Sequence, residues 1–95
     1  MNAFQEGCWL RCERVLRETG TPFSGPTRVD GRRETYFIIQ FPRRSDILEL
    51  FIYADEAGVM KNGKEWTVFE ATDFGKSDEL IDALVQEVSK TLKGL

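Results

Sequence analysis

Two apolar runs, 34–41 (ETYFIIQF) and 47–54 (ILELFIYA), lie close together in the chain, and their pairing constrains the fold more than any other feature. Both are rich in β-branched and aromatic residues, which suit a pleated and half-buried strand. A four-residue break at Arg43, Arg44, Ser45 and Asp46 sets Phe41 opposite Leu48, Ile39 opposite Leu50 and Phe37 opposite Ile52. That register gathers these hydrophobes on one face. A five-residue break would put Glu49 opposite Ile39, among the core residues. A one-residue slip turns every side chain of a strand to the other face, so burial selects the first register. Pro42 is expected to stop the first strand.

The flanking segments read as helices. Over residues 2–19, Phe4, Cys8, Trp9, Cys12, Val15 and Leu16 fall within a stripe about 140° wide at helical spacing. Leu10 falls on the polar side, as a lone exposed apolar residue or part of a second contact surface. Gly20 is placed to end this helix, with Pro22 just beyond. Near the other end, Leu80, Ile81, Leu84, Val85, Val88, Leu92 and Leu95 form a second stripe. This predicts a helix over about 78–93, capped by Ser77, with Asp78 and Glu79 at its positive end.

Between the first helix and the first strand, residues 20–33 contain three Gly and two Pro. The pattern allows a short strand at Thr27 to Val29, turned by Asp30-Gly31, with Phe23 packing inward. Further on, 59–61 and 64–69 flank Asn62-Gly63, the strongest short hairpin signal in the chain. The expectation is one α+β domain over 1–95. It is a two-layer sandwich of an N-terminal helix, an antiparallel meander of three to four strands and a C-terminal helix.

Several chemistries find no residues here. The chain has no histidine, which removes Ser-His-Asp and Cys-His catalysis and imidazole metal sites. Cys8 and Cys12 sit one helical turn apart and make no zinc site by themselves, so they read as small buried hydrophobes in a reducing, cytoplasmic protein. The segment Phe74-Gly75-Lys76-Ser77 resembles the end of a phosphate-binding loop, but Glu70 stands where that motif needs its first Gly. No cofactor or metal is expected and no catalytic residue stands out. The N-terminus lacks the features of a signal peptide, and no apolar run reaches membrane-spanning length.

Charge is unevenly placed. Residues 1–45 carry 8 Arg and 5 acids, and residues 46–95 carry 5 Lys and 11 acids, for a net charge of −3. Arg28, Arg32 and Arg33 before the first strand, and Arg43 and Arg44 after it, form a candidate basic edge. A strand separates the two groups, so they lie at opposite ends of the sheet. With a net negative chain, nucleic acid is not the expected partner.

The chosen register leaves a second sheet face bearing Tyr36, Ile38, Gln40, Glu49, Phe51 and Tyr53, extended by Trp66. An exposed sheet face in a monomer is normally polar. A helix on each face, the 20–33 loop or another chain could cover it. The reading that follows is a binding protein that self-associates through this face as a homodimer. Alternatives are an adaptor, immunity or chaperone-like module for another protein, and a small apolar ligand binder or acid–base enzyme with Glu49 in an apolar pocket.

Overall fold

Five antiparallel strands run as a meander in the order β1-β2-β3-β4-β5 in a computed structural model of the chain, which describes residues 1–43 and 46–93. They are β1 (Ser24–Asp30), β2 (Thr35–Arg43), β3 (Asp46–Ile52), β4 (Glu56–Lys61) and β5 (Glu65–Glu70). Helix α1 (Ala3–Glu18) precedes them and α2 (Ser77–Lys93) follows. The α+β two-layer arrangement matches the sequence expectation, with five strands in place of three to four. The additional pairing comes from 24–30, which forms a full edge strand despite Gly25 and Pro26. A bulge between Ser24 and Thr27 absorbs those two residues.

The central hairpin has the register that burial selects: Phe37↔Ile52, Ile39↔Leu50 and Phe41↔Leu48. Pro42 does not end β2, which continues to Arg43. Pairing with β1 stops at Gln40, so on that side β2 has become an edge and a missing N–H breaks no ladder. Arg44, Ser45 and Leu95 lie outside the described residues.

Both helices pack on the same face of the sheet. Cys8, Trp9, Cys12 and Leu16 from α1, with Ile81, Leu84, Val88 and Leu92 from α2, form one core with Ile39, Phe41, Leu48, Leu50, Ile52, Ala57 and Val59. Leu10 is 53% exposed, on the outer side of α1. Burial pushes the Cys8 thiol up to about 12. Burial and then neighbouring Cys8 do the same to Cys12, also to about 12. Both cysteines are free and act as apolar filling.

The helix ends have local causes. The Asn2 side chain accepts from the Gln5 N–H at 2.7 Å, and the Gln5 side chain accepts from the Asn2 N–H at 2.9 Å, closing a capping box. At the other end Gly20 takes φ 67°. The Gly20 N–H donates to the Arg17 carbonyl and the Thr21 N–H to the Leu16 carbonyl, the Schellman pattern. In α2, Ser77 lies within the helix rather than before it, and the Glu79 carboxylate reaches back to the Gly75 N–H at 3.3 Å. An ion pair between Arg11 and Asp82 ties the two helices on their outer side.

Candidate functional site

Strand alternation sends one set of side chains to the helices and the other to the opposite face. The register aligns that opposite face in three rows across the sheet. The first runs Val29, Tyr36, Tyr53, Glu56, Glu70, through the Val29↔Tyr36 pair, the Tyr36–Tyr53 ring contact, a Tyr53 N–H bond to the Glu56 carbonyl and the Glu56↔Glu70 pair. The second runs Thr27, Ile38, Phe51, Gly58, Val68. The third runs Gln40, Glu49, Met60, with Trp66 next in register. The Trp66 side chain lies outside the described residues.

None of the described side chains in these rows belongs to the helix-side core, and neither helix crosses this face. The 20–33 segment does not fold over it. Phe23 instead meets Trp9 of α1 edge-on at 5.3 Å, with the Arg17 guanidinium 5.4 Å above its ring. The segment's contribution to the open face is β1 itself, through Thr27 and Val29. Val29, Tyr36, Ile38, Phe51, Tyr53, Met60 and Val68 are all half-buried.

The polar groups are arranged around this apolar patch. Gln40 donates its side-chain N–H to Glu49 Oε2 at 3.1 Å, so Glu49 is held by a cross-strand hydrogen bond, with Met60 on its other side. Tyr36 and Tyr53 stack with ring centroids 4.8 Å apart and planes 31° from parallel. The Tyr53 phenol is held above its ordinary range, first by burial and then by Tyr36, Glu56 and Glu34. Glu56 is likewise raised, by burial and then by the charges of Glu70, Asp55 and Glu34. A carboxylate raised by other carboxylates marks a place where negative charge accumulates. Asp55, Glu56, Glu70 and Thr72 line a depression of about 260 Å³ at this end.

The charge sorting between faces is not visible in the composition. Among the described strand side chains, the cations Arg28 and Lys61 pair with Phe37 and Leu48 and so share the helix side with the acids Asp30 and Asp46. Glu49, Glu56 and Glu70 take the open face. Of the candidate basic edge, the described residues lie at the β1–β2 end of the sheet. Arg28 pairs with Asp30 at 3.1 Å on β1, while Arg32 and Arg33 are exposed in the β1–β2 turn. The Arg43 side chain and all of Arg44 lie outside the described residues.

A second concavity opens on the helix side. Phe4, Phe74 and Leu80 form its apolar wall, Asp55, Lys76 and Ser77 its rim, and its volume is about 240 Å³. Among the described residues, no group of three metal-ligating side chains gathers, and no helix is long and apolar enough to cross a membrane. No protein-family model, curated protein or solved structure matches this chain.

Proposed function

We propose that this chain is a binding protein rather than a catalyst, and that its working surface is the open face of the sheet. One observation carries the reading: both helices lie on one side, leaving Val29, Tyr36, Ile38, Tyr53 and Met60 on a face that no other element among the described residues covers. Contiguous apolar surface of this kind is characteristic of an interaction site. A reducing, cytoplasmic setting is part of the same proposal, supported by two free, buried thiols in a chain without other cysteines.

A second copy and a different protein are the two occupants to separate. Five strands about 4.8 Å apart and some 18 Å long give a face of roughly 24 × 18 Å. A standard interface buries about 800 Å² per partner, so this face alone is small for a stable dimer. The deciding experiment is solution mass by light scattering, on the native chain and on Phe51→Glu. A native dimer converted to a folded monomer assigns the face to self-association. A native monomer, with a folded Phe51→Glu variant, leaves the face for another protein. Hydroxyl-radical labelling of the native monomer supplies the refutation. If Tyr36, Tyr53 and Met60 resist oxidation in the isolated monomer, the face is closed and the proposal fails.

A further inference from the structure

We infer that the open face takes a basic, amphipathic helix of another protein, laid across the strands. The inference rests on the open face being the working surface and adds the chemistry of its partner. Three features carry it: the apolar middle row, the aromatic pair at one end, and the sign of the charges around them.

The middle row presents Ile38 and Val68 with Gly58 between them, and Met60 adjoins it. Gly58 itself is buried, so the surface a partner would meet in this row is that of Ile38 and Val68. The helix side of the same sheet is already covered by helices. A helix spanning about 24 Å of strands needs roughly 16 residues at 1.5 Å each.

Charge selects the helix's flank. Glu56 and Glu70 sit on the open face at the tyrosine end, and Glu34 stands beside them with Oε2 accepting the Ala54 N–H at 3.3 Å. None of these three has a salt-bridge partner among the described residues. An arginine or lysine from a partner would reach these carboxylates while its stem lay against Tyr36 and Tyr53. The depression lined by Asp55, Glu56 and Glu70 provides room for such a head group. Two copies meeting face to face would instead bring Glu49, Glu56 and Glu70 from both, with Arg28 and Lys61 on the other side of each sheet and Arg32 and Arg33 in the β1–β2 turn at its end. Anionic lipid and nucleic acid would meet the open-face carboxylates Glu49, Glu56 and Glu70 in the same way.

The test uses three labelled 18-residue peptides and the full chain, read by fluorescence anisotropy. One is a helix of Leu and Lys with an apolar stripe, one replaces Lys by Glu, and one replaces Leu by Ser. The Leu/Lys peptide is expected to bind saturably and to weaken as salt rises, while the other two bind at least about tenfold more weakly. The double variant Glu56→Lys, Glu70→Lys is expected to lose about tenfold in affinity for Leu/Lys, and Ile38→Glu a comparable amount. Hydroxyl-radical labelling of the native complex should show protection at Tyr36, Tyr53 and Met60, a readout that needs no variant to fold. Equal binding of the Leu/Lys and Leu/Glu peptides, or an unaffected double variant, would overturn the charge inference while the open face remained the binding surface. A native dimer through this face would overturn the inference in favour of a second copy. Protection confined to the helix side would overturn both readings.

Discussion

Asn62 takes φ 53° and Gly63 φ 71°, the positive values that a tight hairpin turn requires, and the turn closes through the Lys64 N–H to the Lys61 carbonyl at 3.0 Å. The Asn62 side chain also reaches β3. Its Oδ1 accepts the Ile47 N–H and its Nδ2 donates to Asp46 Oδ1, both at 2.8 Å, while its own N–H donates to the Ile47 carbonyl. Asn62→Ala loses the side-chain bonds and puts at positive φ a residue that tolerates it less well than Asn, so a loss of about 1–2 kcal/mol is expected in urea unfolding. A change within 0.3 kcal/mol would show that water replaces these bonds at no cost. Cys8 and Cys12, with thiols pushed up to about 12 and both buried, should resist a thiol reagent in the native chain and react fully in denaturant. Rapid native labelling would reveal local opening of α1. For Glu56, raised first by burial and then by neighbouring carboxylates, the ionised form is disfavoured on folding. That cost is present above the folded pKa and relieved as pH falls through it. Glu56→Gln should therefore raise Tm at neutral pH and lose the advantage below the ordinary glutamate range; a lowered Tm at neutral pH would mean that the carboxylate has a favourable partner.

At the scale of the element, β2 allows a comparison between neighbouring residues. Ile39 is wholly buried against the helices, whereas Ile38 lies half-buried on the open face. Ile39→Ala is expected to cost about 2–5 kcal/mol, and Ile38→Ala less than about half of that. Similar losses from the two would mean that the open face is packed as tightly as the core. β1 is maintained by backbone approach. A β-carbon on Gly25, at φ 111°, would stand 2.6 Å from the Ile38 carbonyl oxygen, so Gly25→Ala should detach the start of this edge strand. Faster amide exchange in 24–27, with α2 unchanged, is the expected signature. Uniform exchange across the chain would instead show that β1 and the core open together.

For the whole molecule, the arrangement of layers determines what the charges do. A net charge of −3 gives little indication of a partner. Alternation turns the strand cations Arg28 and Lys61, with Asp30 and Asp46, to the helix side and Glu49, Glu56 and Glu70 to the other, so an unremarkable composition becomes an apolar face edged by carboxylates. The two proposals make different demands at this scale: binding through the face requires only apolar contact, whereas the basic-helix inference also requires sensitivity to salt and to charge reversal.

The alternating runs determined β2, β3 and their register by themselves, because only one register gathers Phe37, Ile39, Phe41, Leu48, Leu50 and Ile52 on one face. The helical stripes likewise placed α1 and α2, and Asn62-Gly63 marked its hairpin, since all of these signals come from near neighbours in the chain. The Tyr36, Ile38, Phe51, Tyr53 face and the Gln40–Glu49 pair were legible for the same reason, as consequences of register. The side of the sheet on which each helix packs was not, because an amphipathic stripe specifies an apolar neighbour without specifying which one. The full length of β1, the Asn62 bridge to β3 and the meeting of Glu34, Asp55, Glu56 and Glu70 also emerged only in three dimensions. Each joins residues distant in the chain, and their contacts exist only after the meander has brought its strands and turns together.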